Sequence, residues 1–402
     1  MSDRSRDVVV VGGGPAGSAL ACFLAGRGRD VLLLDAARFP RDKICGESVS
    51  PGAWPLLDAM GAAERVTSLH PHAVRGMRLV SPDGTAFRGE YRGEGRPGFA
   101  LRRVALDAAL LDAARDAGAE VREGARVTGL LGEGGAVAGV LGEEGGGSRP
   151  IRARATVGAD GRRSVVARSL GLLRENPRMR RFAVRGHWDG MEALADVGEM
   201  HVGGGGYCGV APLSRTLANV AFVLDQRDLA PAAADLEGFY RESLRRRWPR
   251  LAERLQRARL LEPPRAIGPL ALDCAAVAVP GAVLVGDAAG FYDPFTGEGI
   301  TLALRTAELA AREIDEALAR PGTRPVPRLA GYERARAAAT RDKFRFNRLV
   351  QVALRSPAAA NAIARRLARR PDLADQLVGV AGDFVPARTV LGPRFLFRLL
   401  TG

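Results

Sequence analysis

Residues 8–17 of this 402-residue chain read VVVVGGGPAG. Four β-branched residues in a row suit a strand buried on both faces, since nothing polar alternates with them. The run breaks at Gly12, Gly14 and Gly17, in the spacing G-x-G-x-x-G, and residues 15–27, opening with Pro15 and Ala16, read as a helix. A second apolar run, residues 31–34, ends in Asp35. Together these make a βαβ unit. The glycines let the backbone turn tightly and approach a pyrophosphate, while the helix N-terminus presents free N–H groups and a positive dipole end. Asp35 falls where a carboxylate holds a ribose hydroxyl. A glycine-rich loop that merely permits close packing is the bland alternative. Strand, turn, helix, strand and acid in one register favour a dinucleotide.

The remaining composition narrows the class. The chain is long enough for two or three domains, and at 47% hydrophobic it is globular. The N-terminal apolar run breaks into glycines too early for a signal peptide. No uninterrupted apolar stretch reaches the ~18 residues of a membrane span. Cys22, Cys45, Cys208 and Cys274 lack pairing spacings, which suits reduced thiols in a cytoplasm. The net charge is +14, but 57 of the 59 basic residues are arginine, and only Lys43 and Lys343 are lysine. That bias reads as a compositional habit. With aromatics at 5%, no nucleic-acid partner is expected. A basic face still attracts anionic substrates or an anionic membrane surface. The four histidines show no metal spacing beyond His70-x-His72, so no metal site is expected and all four are read as surface or packing residues.

Two later stretches choose the nucleotide. Residues 156–164, TVGADGRRS, read as a strand ending in Asp160-Gly161; residues 282–300, AVLVGDAAGFYDPFTGEGI, read as a strand ending in Gly286-Asp287. With these motifs the chain resembles the FAD-dependent oxidoreductases of the para-hydroxybenzoate hydroxylase superfamily, in the geranylgeranyl reductase branch, with a relation to flavin-dependent halogenases. The resemblance spans roughly residues 6–320. It implies that Asp160 braces the pyrophosphate region and that Asp287 reaches the ribityl chain. It implies further that the turn from Pro294 through Gly297, Glu298 and Gly299 to Ile300 faces the isoalloxazine ring. Two side-chain-free glycines there let a flat ring approach, and the helix start stabilises negative charge on the reduced flavin. The same resemblance assigns cofactor contacts to Arg103, with Arg102 as a rival, and to Val127.

Details favour one branch. Gly290 stands where aromatic hydroxylases carry a histidine, and residues 39–51, FPRDKICGESVSP, fit the Lys-x-Cys-Gly stretch of the reductases. Gly46-Glu47-Ser48 echoes the halogenases, but their Trp-x-Trp-x-Ile-Pro motif is absent. Cys45 is placed near the flavin as a redox candidate, against the simpler reading of a small buried hydrophobe. The reductases' Tyr-x-Trp-x-Phe-Pro motif corresponds to GYCGVAPL, residues 206–213. Tyr207 and Pro212 remain, while Cys208, Gly209 and Ala211 replace bulkier positions. Tyr207 is a pocket-lining catalytic candidate in a pocket wider than a prenyl slot.

The fold class implied is α/β: a Rossmann-like FAD-binding domain of the glutathione-reductase type, a mixed β-sheet substrate domain and a helical C-terminal region. The segments expected are FAD-binding over 1–75, 97–175 and 275–320, substrate-binding over 76–96 and 176–274, and helical over 321–402. Strands are expected at 182–188, 199–202, 207–213 and 217–224, with a hairpin over 74–89. A surface hairpin with a loose glycine tip is expected over 132–150, and a helix over 233–259 broken at Pro249. The arginine-rich tail reads as a helical cap on both domains. The alternative is a surface that lies on an anionic membrane or guides a lipid.

The activity implied is FAD-dependent oxidoreduction of a lipophilic prenyl or polyketide-like molecule, with double-bond reduction ahead of hydroxylation or epoxidation. A flavin-bound scaffold without turnover is the remaining alternative. With no second Rossmann unit read in the chain, electrons are expected from transiently bound NAD(P)H or an external reductant, such as a separate flavin or electron-donor protein. The expected location is cytoplasmic, with peripheral membrane contact left open.

Overall fold

In the computed structural model, which describes residues 5–93, 95–144, 147–177, 179–322 and 325–401, the valine run is strand β1 (Arg6–Val11). It leads into helix α1 (Pro15–Ala25) and strand β2 (Val31–Asp35). The helix stops two residues short of the expected span, at Gly26. Strands β3 (Gly76–Val80) and β4 (Ala86–Glu90) form a hairpin; helix α2 (Arg103–Asp116) follows and returns into β5 (Glu120–Glu123). Next come β6 (Gly147–Gly158), β7 (Arg181–Asp189), β8 (Gly198–Gly203), β9 (Gly206–Pro212) and β10 (Ala218–Asp225). Helix α3 (Leu236–Arg247) ends one residue before the Trp248–Pro249 break. Strand β11 (Ala282–Leu284) precedes helices α4 (Gly299–Leu318), α5 (Ala330–Leu354), α6 (Pro357–Arg369), α7 (Pro371–Ala381) and α8 (Pro393–Thr401).

The parallel part of the first sheet runs in the order β11, β6, β1, β2, β5, and a short antiparallel edge, Ala278–Val279, pairs with β11. Every residue of α1 is buried, between this sheet and helices α2 and α4. That explains why its sequence carries no charge: a helix with no solvent face has no position for one. The hairpin expected over 132–150 is part of a three-stranded antiparallel flap, Arg126–Glu133, Ala136–Glu144 and the first half of β6. Its glycine tip, 145–146, lies outside the described residues.

The second sheet runs β7, β10, β9, β8, β3, β4. All its pairs are antiparallel except β8 with β3, so the early hairpin joins a sheet otherwise made after residue 181. One face packs on α3 through Phe222, Tyr240 and Trp248. The other faces the first sheet's turns. Helices α5 to α8 close a separate apolar cluster over β3 and β4, around Phe87, Phe346, Leu367 and Phe395. Among the described residues no helix is long and apolar enough to cross a membrane.

Candidate functional site

A cavity of about 230 Å³ opens where the two sheets meet. Its first half is walled by the turns at the ends of the parallel strands. Gly12 has φ +103° and packs so closely on the next turn that a Cβ would lie 2.6 Å from the Ala159 carbonyl oxygen; a Cβ on Gly17 would lie 1.8 Å from the Gly12 carbonyl oxygen. These two glycines let three turns converge. Gly14, Gly297 and Gly299 differ: the nearest atom to an added Cβ is 3.6 Å away at Gly14 and 3.8 Å at Gly299, and Gly297 meets nothing within 4 Å. They leave a bare backbone cradle that side chains would fill, and it fits a flat ring with a phosphate chain. Gly297 has φ +70°, which glycine adopts without strain, and Pro294 opens the short turn before it.

Charged groups border this cradle. Asp35 accepts the Gly13 N–H at 2.7 Å and the Ala37 N–H at 2.8 Å, and lies 3.8 Å from the Arg41 guanidinium. Each of its oxygens keeps a free lone pair for a ribose hydroxyl. Asp160 caps the helix after β6 by accepting from the Val165 N–H, while its other oxygen, Oδ1, is buried without a partner. Burial raises the Asp160 carboxyl above its ordinary range. Asp287 lines the cavity. So does Lys43, whose ammonium has no hydrogen-bond or ion-pair partner among the described residues. Burial and the nearby Arg103 guanidinium lower the Lys43 ammonium's pKa, with Asp287 acting the other way.

Arg103, not Arg102, is the arginine inside. Its guanidinium grips Asp107 one helical turn on, at 2.6 and 2.7 Å, while Arg102 pairs with Glu262 at 3.3 Å near the surface. Cys45 is half-buried on the cavity wall, where its sulfur accepts the Glu47 N–H at 3.4 Å.

The second half of the cavity is walled by the other sheet. Tyr207, Gly209 and Ala211 of β9 alternate inward, with Ala183 of β7 and Ala221 of β10 beside them. Cys208 faces the opposite core and is fully buried there, so it does not widen the pocket as its place in the motif suggests. The Tyr207 hydroxyl donates to Asp293 at 2.6 Å, and burial and that carboxylate push its pKa well above the usual tyrosine range. Its proton is thereby committed to the loop that opens the glycine turn. Asp293 also accepts from the Phe295 N–H at 3.0 Å and from Gln351 of α5 at 2.8 Å. Glu298 turns its carboxylate behind the turn onto Lys343 at 2.8 Å, and Lys343 reaches Asp383 at 2.6 Å. Ile300, in contrast, lines the cavity from the first turn of α4. Val127 lies on the antiparallel flap, in the core with Val9, Leu32 and Leu34, away from the cavity lining.

The largest correction concerns the histidines. His187 is fully buried in a charged cluster, neither a surface residue nor plain packing. Its Nε2 lies 2.6 Å from Glu47 Oε2 and its Nδ1 lies 2.5 Å from Glu262 Oε1. Arg185 bridges Glu262 at 3.0 Å and Asp42 at 2.5 Å. Glu47, at φ +59°, further accepts from the Arg103 N–H and from Asn219, each at 2.9 Å. Burial alone would raise the Glu47 carboxyl; the bond and charge of His187, with Asn219, hold it below its ordinary range. His201 is likewise buried and paired with Glu199 at 2.9 Å. A buried charge needs such partners, because desolvation otherwise costs several kcal/mol. A polar-apolar alternation in β7, Arg185 and His187 among apolar neighbours, was the available signal.

A second, almost wholly apolar cavity of about 220 Å³ adjoins the first. It lies between the β3–β4 hairpin and helices α5 to α8. The two share Met77, Met200, Phe295, Thr296 and Ala381, so the apolar passage begins at the glycine turn itself.

Fold and site define an FAD-binding α/β protein with a second sheet laid over the crevice at the ends of the parallel strands. The chain belongs to the FAD binding domain family, whose model matches residues 5–347, and it is an FAD-dependent oxidoreductase-type enzyme. It is 32% identical over 330 residues to a menaquinone reductase of Mycobacterium tuberculosis, covering 78% of this chain and 77% of that one. It is 30% identical over 338 residues to a digeranylgeranylglycerophospholipid reductase of Methanosarcina mazei, covering 79% and 77%. A flavin-dependent brominase shares the fold with a TM-score of 0.82 at 20% identity, over 94% of each chain.

Proposed function

We propose that the enzyme reduces a carbon–carbon double bond in a lipophilic substrate, with electrons from NAD(P)H or a separate reductant. The apolar passage that meets the cofactor cavity at Phe295 and Thr296 carries this reading. A polar substrate would gain nothing from such a wall, whereas an aliphatic chain gains roughly 0.8 kcal/mol per buried CH2. Two relatives named for reducing menaquinone and digeranylgeranylglycerophospholipid support it. Bound FAD supplies hydride chemistry to an alkene. The chain's residues would hold the rest: Gly14, Gly297 and Gly299 receive the cofactor, Asp287 and Arg103 border it, and Met77, Met200 and Phe295 line the neck where a substrate chain enters. Lys43 and Cys45, on one loop at the cavity wall, each carry an exchangeable proton.

The second reading is hydroxylation or epoxidation of an aromatic or polyketide substrate. The small-residue floor of Ala183, Gly209, Ala211 and Ala221 favours it, because a rigid ring system needs width more than length. The deciding experiment supplies chemically reduced holoenzyme with prenyl and polyketide substrates without oxygen, then repeats the reaction under labelled O2. A reductase yields a product two hydrogens heavier under anaerobic conditions. Labelled oxygen in the product, with no anaerobic turnover, would replace the first reading by the second.

A further inference from the structure

Four of the large hydrophobic residues that the described surface exposes lie together on two C-terminal helices: Leu349 (54% exposed) and Val352 (62%) on α5, and Leu396 (42%) and Phe397 (66%) on α8. Leu349 and Leu396 also line the apolar passage, so this patch is its outer rim. A soluble protein rarely leaves such a cluster open to water without a partner for it.

The charge around the rim names the partner. Residues 341–402 hold 12 basic and 4 acidic side chains, a net +8 out of the chain's +14. On α5, Arg345 precedes Leu349 and Arg348 precedes Val352 by four residues, and Arg355, at the helix cap, follows Val352 by three. On α8, Arg394 precedes Phe397 by three. Residues three and four apart share a helix face. Arg355 and Arg394 are exposed and have no ion-pair or hydrogen-bond partner for their side chains among the described residues. Apolar side chains flanked by unpaired arginines match the interfacial region of an anionic bilayer, where the aliphatic groups enter the acyl boundary and the guanidiniums meet headgroup phosphates. An acidic protein would satisfy the arginines but would not by itself explain why the apolar patch continues inward to the cofactor cavity.

We propose that the α5–α8 face docks on an anionic lipid surface, and that the passage behind it admits the substrate's apolar chain directly from the bilayer. The second half rests on the reductive reading above; the docking does not. Among the described residues no helix is long and apolar enough to cross a membrane, and the proposed contact is a peripheral one.

The test is flotation of the full-length holoenzyme with vesicles of phosphatidylglycerol and phosphatidylcholine, and with vesicles of phosphatidylcholine alone. Binding is expected to the anionic vesicles and to weaken steeply with salt. Phe397→Asp with Val352→Asp should weaken it by more than tenfold. Arg355→Glu with Arg394→Glu should weaken it by about fivefold or more per arginine. All four residues are exposed and outside the lining of the cofactor cavity, so FAD content should match wild type in every variant. Failure to float, flotation unaffected by the aspartates, or concentration-dependent self-association in place of vesicle binding would overturn the docking. Docking intact, with no alkene reduction by the same preparation, would instead retire the functional reading alone.

Discussion

Where the parallel strands' turns wall the cavity, bare backbone sets its shape; under the second sheet, side chains do. Gly14, Gly297 and Gly299 present bare main chain to open space, and Gly12 and Gly17 let that main chain cross other turns at contact distance. Opposite them, the floor depends on His187, Glu47, Glu262 and Arg185, which hold one another in place inside the protein. Each piece of the first wall is written in a short span, as with Gly12 and Gly17 five residues apart. The second is assembled across 140 residues from Glu47 to His187 and 75 from His187 to Glu262. A backbone wall suits a cofactor of constant shape, whereas a side-chain wall changes with single substitutions and suits a substrate that differs between relatives.

Substitutions probe each wall. Gly17→Val should have the largest effect, because its side chain must enter space held by the Gly12 carbonyl. A cost above about 4 kcal/mol is expected, seen as little soluble protein and a collapsed thermal transition. A near-native melt would show that the turn and helix are not held so close. His187→Ala should cost about 3 kcal/mol in chemical denaturation, since it leaves the buried Glu47 carboxylate short of a partner. His187→Gln should recover part of it, and a neutral alanine variant would remove the cluster from the account of the substrate wall.

Glu199 gives the third test, with a pH signature. Burial works to raise its carboxyl, but His201 and Arg254 hold it down to about 2 against an ordinary 4.5. The stabilisation is therefore complete above pH 4.5 and disappears as pH falls through about 2. Glu199→Gln should lose about 3 kcal/mol at neutral pH and flatten the acid limb of the stability curve. An unchanged limb would place the acid sensitivity elsewhere.

The smaller effects fall on the cofactor. Asp287→Ala should weaken FAD retention by about 1–3 kcal/mol, the cost of one lost hydrogen bond, measured by flavin release on dilution. Equal retention would take Asp287 out of the site. Gly299→Val should change the melting temperature least of all, because its side chain enters open space. It should nevertheless perturb the bound flavin's visible spectrum and slow its reduction. A wild-type spectrum and rate would mean that this turn does not meet the ring, and would break the contrast between Gly17 and Gly299.

The amino-acid sequence by itself determined the βαβ unit, the Gly286-Asp287 turn and the strands of the substrate sheet. Each is encoded in neighbouring residues, through glycine's backbone freedom or an apolar run whose period matches its element. Arg103, Cys45 and Ile300, singled out from the sequence, line the cavity. Only the tertiary structure decided which polar residues are buried together. His187 has no charged partner beside it in sequence other than Arg185, and its meaning comes from Glu47 and Glu262, which reach it from two other segments. Tyr207 looks free to act until Asp293 is found under its hydroxyl, and Val127 turns out to fill a core instead of facing the cavity. The apolar passage was equally hidden, because a row of leucines on a helix reads the same whether it closes a core or leaves a channel. Burial and long-range pairing are properties of the packed chain, and a local pattern carries no information about its distant partner.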